Sequence, residues 1–320
     1  MKIRLSIFVF LMLLSGPALA TEAGFRDWLK QVQVDAVAKG LAPSTVTTAL
    51  GEVQFVPRAI ELDRKQPEGT STFAQYVSRV LPQSRVDRGR QYLIQYRELL
   101  ADIEETYGVP AEVIVALWGM ESSYGTNTGG FAVVDVLATL AYEGRRAEFF
   151  RGELLNALQI LDEEHITLES MTGSWAGAMG QCQFMPSSFL RFAVDANGDG
   201  KRDIWSTRAD VFASAANYLS QSGWKRGHTW GREVRVPKTV DATLVGLSVQ
   251  KPLSEWAQLG VVRSNGQPLP TVDIAASLVM PDGLGGRAFL VYDNYRVIMK
   301  WNRSTYFATA VGLLSDRLRE

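Results

Sequence analysis

Glu121 has more chemistry to offer than any other residue in the chain. It lies near the end of the stretch Pro110 to Gly125, PAEVIVALWGMESSYG. Val113, Ile114, Val115, Ala116, Leu117, Trp118 and Met120 leave this stretch no polar face, so it reads as a buried helix. Pro110 suits its first turn and Gly125 its end. A carboxylate at the base of such a rod is either paired or held neutral and used. Desolvation against Trp118 and Met120 raises its pKa, and so does the negative end of the helix. A carboxylic acid that stays protonated near neutral pH is what general-acid cleavage of a glycosidic bond requires. The plainer alternative is a glutamate paired with an arginine.

Other stretches carry chemistry of their own. Arg145 and Arg146 are adjacent cations, either solvated or in contact with a polar substrate. From Ser174 to Ser188 the chain reads SWAGAMGQCQFMPSS. Its small residues permit close backbone approach, and its glutamines suit sugar hydroxyls and amides. A tight structural turn is an equal reading. Asp195, Asn197 and Asp199 place oxygen ligands at alternating positions with Gly200 sixth, like the start of a calcium loop. Ser206 stands where the twelfth-position glutamate is expected, and Asp210 is the residue that could close the shell; the alternative is an Asx-rich turn. Cys182 is the sole cysteine, so no intramolecular disulfide forms. His165 and His228 are the only histidines. Two cannot make a His-rich zinc site, and they support a Ser–His–Asp triad poorly.

These residues must be positioned mainly by helices. Helical spacing runs from Phe25 to Gly40 and from Pro43 to Leu50. Phe55 to Pro67 is expected to be irregular, with Pro57 and Pro67 as breakers. A short helix follows around Phe73 to Leu81, then one long amphipathic helix from Arg88 to Tyr107. Helices are also expected at Phe131–Tyr142, Glu148–Ile160, Ala209–Ser220 and Ser304–Arg319. After Trp224 the pattern shifts, and Val234–Val236, Ala275–Met280, Arg287–Tyr292 and Tyr295–Trp301 read as strands.

The chain has 320 residues, 46% of them hydrophobic and 21% charged, with a net charge of −1. That is room for one large or two modest domains, and it gives no electrostatic case for nucleic acid or a membrane surface. Residues 1 to 20 read as a secretory leader: Lys2 and Arg4, an apolar run from Ile7 to Leu14, and Ala18-Leu19-Ala20 as cleavage site. No cysteine follows the run, so a lipid anchor is not expected. The product is expected to be soluble and periplasmic, with no transmembrane segment.

Taken together, the motifs resemble the family 3 lytic murein transglycosylases, the MltB-like group of glycoside hydrolase family 103. They are ALWGMESSYG at 116–125, EGRRAEFF at 143–150, GSWAGAMGQCQFMPSSF at 173–189, DANGDGKRDIW at 195–205 with VFASAANYL after it, and VIMKWNRSTYFATAV at 297–311. The resemblance implies a mainly α (α+β) fold. Residues 21–85 would be an N-terminal helical region and 86–223 a lysozyme-like catalytic core with an EF-hand-like loop. Residues 224–296 would be a small α+β subdomain, and 297–320 a strand and helix returning to the core.

It further implies cleavage of the MurNAc-GlcNAc β-1,4 bond of peptidoglycan with formation of a 1,6-anhydro end, Glu121 acting as sole acid and base. Tyr76, Ser122, Ser174, Gln183, Tyr218, Trp301 and Asn302 match cleft-lining positions, and Arg145 and Arg146 match a pair that contacts the glycan or its peptide. Asp195, Asn197, Asp199, Lys201 and Asp210 match a structural calcium loop; the chemistry itself needs no cofactor. Trp301 stands where the family often has tyrosine. Glycan strands are the expected partner, with cell-wall synthesis or division proteins as further candidates. The rival readings are a water-using, lysozyme-like hydrolase and a non-catalytic wall-binding protein.

Overall fold

The computed structural model of the chain describes residues 22–65 and 71–320. The expected leader at 1–20 and the Pro67 breaker lie outside the described residues. The N-terminal region forms α1 (Glu22–Ala38), α2 (Pro43–Gly51), α3 (Pro57–Arg64) and α4 (Phe73–Val80). Helix α3 replaces the irregular segment expected there. Pro57 occupies its first turn, where a missing N–H costs nothing and a fixed φ helps. Thr72 starts α4 with a capping box closed by Gln75.

Next come α5 (Gln83–Gln95) and α6 (Arg97–Tyr107), two helices where one was expected. The chain leaves helical geometry at Tyr96, φ −109° and ψ 24°. The ring of Tyr96 lies 5.3 Å from Phe212 and 6.3 Å from Trp118, so the break serves packing. Helix α7 (Ala111–Ser122) is the buried rod, with residues 113–119 all inaccessible. Helices α5, α6, α11 (Arg208–Gln221) and α14 (Thr305–Arg319) pack around it.

A short ribbon, β1 (Phe131–Ala132) with β2 (Thr172–Gly173), frames α8 (Val133–Glu143) and α9 (Ala147–Asp162), and Pro186 opens α10 (Pro186–Phe192). The start of α8 is therefore two residues later than the apolar pattern suggested.

Beyond Trp224 the chain builds β3 (Gly231–Arg235), β4 (Lys251–Pro252), α12 (Leu253–Gln258), β5 (Val262–Arg263), β6 (Ala275–Val279) and β7 (Ala288–Val291). The five strands form one antiparallel sheet in the order β4-β6-β7-β3-β5. Phe289 and Val291 of β7 join the helical core, while Ala288, Leu290 and Tyr292 join a second cluster around Trp256. A strand buried on both faces shows no polar alternation.

The strand expected at Tyr295–Trp301 is instead helix α13 (Asp293–Trp301). A segment of seven residues, mostly apolar with Arg296 and Lys300 among them, cannot be divided between strand and helix by pattern alone. The buried residues Asn294, Tyr295, Val297 and Ile298 follow helical spacing, and Asp293 and Lys300 match the helix dipole at its two ends. Among the described residues no helix is long and apolar enough to cross a membrane.

Candidate active site

Helix α7 ends abruptly just after Glu121. Ser123 (φ 51°), Tyr124 (φ 63°) and Gly125 (φ 80°) are successive left-handed residues, the first two carrying a side chain there at a cost. The turn folds the Tyr124 ring back onto Gly119, where an added Cβ would lie 2.6 Å from it. The Tyr124 hydroxyl donates to the Arg85 carbonyl at 2.8 Å, and a Cβ on Gly125 would collide with Gln181. The left-handed turn thus locks the last turn of α7 against α5.

The bland expectation for Glu121 was an arginine partner. The structure gives it tryptophan instead: Trp301 Nε1 donates to Glu121 Oε1 at 2.6 Å. A cavity of about 10 Å³ behind the carboxyl is lined by Leu117, Trp118, Cys182, Phe212 and Trp301, among others. Such a space holds one water at most. The residue keeps some solvent access, but packing around the carboxyl desolvates the anion. Burial pushes the Glu121 pKa up to about 7, with the indole N–H pulling the other way. Among the described residues no other Asp or Glu lines that space.

Several rings stand near this acid or its tryptophan partner. Tyr76 of α4 is close enough that the Glu121 charge raises its phenol pKa, after the larger effect of burial, and its ring leans on Tyr306 at 5.5 Å. Tyr218 of α11 lies 4.7 Å from Trp301, and its hydroxyl donates to the Lys300 carbonyl at 2.8 Å. Phe184 lies 5.2 Å from Trp301.

Several expected contact residues already have partners within the fold. Ser122 departs from the expectation of a cleft contact. It is fully buried, donates to the Trp118 carbonyl and accepts from Gly125 N, so it ends the helix and has no face for a ligand. Ser174 Oγ accepts from Ala176 N and Ala178 N. Gln183 adopts a left-handed backbone, and its amide donates to the carbonyls of Thr128 and Gly180, leaving its oxygen as the spare acceptor. Asn302 is exposed and accepts from Ser304 N. Arg145 and Arg146 both grip Asp63 of α3, at 2.7 and 2.6 Å. Burial pushes Asp63 up, but the two guanidinium groups outweigh it and hold the carboxyl below its ordinary value.

Two residues were missed in the sequence. Gln181 is buried and bridges Trp118 Nε1 at 2.8 Å to the Trp205 carbonyl at 2.6 Å, fixing the ring beneath Glu121. Arg85 donates to Ser123 Oγ at 3.1 Å and approaches Met120 Sδ at 3.6 Å, on either side of Glu121 along the chain. Gln181 stood inside the glutamine motif; nothing local singled out Arg85.

The acidic loop at 195–203 supplies only oxygen donors, the chemistry a hard cation requires. Asp195 accepts from Gly198, Asp199 and Gly200 N, and Asp199 from Asn197 Nδ2 and Lys201 N. Buried Asp210 accepts from Ala196 and Asp203 N. Burial raises its pKa, and the charges of Asp195 and Asp199 add to the rise. The charges of Asp195 and Asp199 therefore act on Asp210. Among the described residues no three His, Cys, Asp or Glu side chains converge on one point, so a cation here would draw the carboxylates off the loop's own amides.

Comparison with known proteins agrees with this geometry. The family model described as Transglycosylase SLT domain matches residues 24–316. Membrane-bound lytic murein transglycosylase B of Escherichia coli (strain K12) is 34% identical over 256 residues, covering 79% of this chain and 69% of that protein. The crystal structure of SltB3 from Pseudomonas aeruginosa in complex with NAG-anhNAM-pentapeptide is 46% identical and superposes with a TM-score of 0.89, covering 92% of this chain and 79% of that one. Slt35 of Escherichia coli in complex with calcium is 30% identical with a TM-score of 0.78, covering 91% and 92%.

Proposed function

We propose how the site works from one premise: the chain belongs to the lytic murein transglycosylases, enzymes that act on peptidoglycan and share a lysozyme-like fold. Glu121 is the sole acid and base. Protonated, it donates to the glycosidic oxygen between MurNAc and GlcNAc as the bond from muramic C1 breaks. The resulting carboxylate takes the proton from the muramic 6-hydroxyl, whose oxygen closes on C1 to give the 1,6-anhydro ring. Glu121 ends protonated as it began, and no water is consumed.

The observation that carries this reading is the solitude of Glu121. Glycosidases that use water or a covalent intermediate need a second carboxylate within about 5 to 10 Å. Among the described residues no other Asp or Glu lines the space around Glu121, and a hydroxyl on the substrate itself is already positioned to replace it. Tyr76, Gln183, Tyr218 and Trp301 would hold the sugars around the bond, Gln183 through its free amide oxygen. The stem peptides carried on MurNAc come with the substrate.

Mass spectrometry of sacculi digested with the protein tests the reaction. Muropeptides lighter by one water than hydrolytic products are expected, and they should vanish in Glu121→Gln while that variant still binds glycan. Reducing-end products would overturn the mechanism in favour of water as nucleophile.

The loop at 195–203 is read as a structural calcium site. Asp195, Asp199, Asp210, Asn197 and the Lys201 carbonyl would hold the ion, whose charge would offset the repulsion among the carboxylates. Residues 1–20 are read as an export leader to the periplasm, and N-terminal sequencing of the mature protein should begin at Thr21.

A further inference from the structure

A cavity of about 500 Å³ opens where α10, α11 and the end of α13 meet, lined by Ser187, Ser188, Arg191, Tyr218, Gln221 and Lys300 among others. It adjoins the reaction centre through two rings. Tyr218 lies on the cavity wall, 4.7 Å from Trp301, and Trp301 donates to Glu121. Two cations line this space and no acid does.

Those cations have little to hold them. Among the described residues Arg191 has no hydrogen-bond or ion-pair partner, and its guanidinium only overlies the Phe192 ring at 4.8 Å. Lys300 Nζ donates to the Ser222 carbonyl at 2.7 Å and pairs with no carboxylate among the described residues. The acid behind the wall, Glu153, is buried and already accepts from Ser187 N and Ser187 Oγ. Asp293, near the start of the helix that carries Lys300, is paired with Lys225.

We propose that this cavity binds a carboxylate of the stem peptide borne by muramic acid, an inference that rests on the peptidoglycan reading of the site. A neutral sugar would leave two like charges uncompensated in one cavity. An anion offsets both and gains charge-assisted hydrogen bonds from Arg191 and Lys300, with the Ser188 hydroxyl and the second N–H of the Gln221 amide as neutral donors. Arg145 and Arg146 are the other arginines suggested by the sequence, but both are already committed to Asp63. Arg191 and Lys300 thus act as specificity residues that favour strands still carrying free peptide carboxylates.

The test measures binding, which needs no turnover. In the Glu121→Gln background, short glycan fragments are titrated calorimetrically in three forms: with stem peptides, with the peptide carboxylates amidated, and with the peptides removed by an amidase and the lactyl carboxylate thereby exposed converted to its amide. Adding Arg191→Gln and Lys300→Gln should lower the ratio of peptide-bearing to peptide-free affinity about tenfold. Arg191→Lys should restore part of the ratio. Amidated peptide should bind like the stripped glycan, and the preference should fade with salt. Equal weakening for all three ligands, or no change in the ratio, would overturn the proposal. If instead the preference is lost as expected but sacculi yield only reducing ends, the anion site stands and the reaction assigned to Glu121 falls.

Discussion

Glu121 ionises under two opposed influences, burial raising its pKa and the Trp301 N–H lowering it. As the general acid it must be protonated before it meets substrate, so kcat/KM is expected to fall as pH rises through about 7. Trp301→Phe keeps the ring but removes the donor that favours the anion. The descending limb should therefore move to higher pH, which a pH–rate profile on a soluble glycan reads directly. An unmoved limb would mean that Trp301 only packs. Stability carries the same sign. A carboxyl whose folded pKa lies above its unfolded value stabilises the protein below the unfolded value, and that contribution is lost as pH rises through the folded one. Glu121→Gln should therefore be more stable than the wild type at pH 8, by up to about 3 kcal/mol, with the gap closing toward pH 4. Thermal melts of the two proteins across that range make the comparison.

Among the elements, α7 matters most because its end aims the acid. Gly119 sits inside that helix at a cost of about 1 kcal/mol relative to alanine, and the Tyr124 ring fills the space a Cβ would take. Gly119→Ala should push the ring out, lose about 1–3 kcal/mol in denaturant unfolding, and reduce turnover as the left-handed turn shifts. Equal stability to the wild type would show that the ring moves freely. Much of this was legible beforehand. A helix without a polar face and a carboxylate at its end was plain from residues 113–121. The contact between Gly119 and Tyr124 was not, because it depends on two left-handed residues that no glycine marks. The break at Tyr96 was hidden for a related reason. The apolar stripe continues through it, and only the position of Phe212 shows why the helix bends out of line.

Across the whole molecule, distant segments are tied together around the core. Asp63 of α3 holds both arginines that precede α9. Asp282, in the loop after β6, accepts from Phe73 N at 2.5 Å and from the Tyr306 hydroxyl at 3.1 Å, joining the sheet to α4 and α14. Asp63→Ala strands two guanidinium groups and should cost about 1–3 kcal/mol by chemical denaturation. Calcium should raise the melting temperature by a few degrees, a chelator should reverse it, and Asp210→Asn should weaken the response. A melting point indifferent to calcium would leave the loop as an Asx-rich turn.

The sequence by itself determined the helical character of most of the chain, the buried rod with its single acid, and the family motifs that point to peptidoglycan. Those features are local: they follow from spacing along one helix or from short runs of fixed residues. The tertiary structure alone decided what Glu121 touches, that Arg145 and Arg146 share Asp63, and that Ser122 is buried. It also decided that Tyr295–Trp301 is helix, which brings the Trp301 indole to an acid 180 positions earlier in the chain. Each of these depends on which distant surfaces meet, and apolar periodicity says only that a face is buried, not what lies across from it.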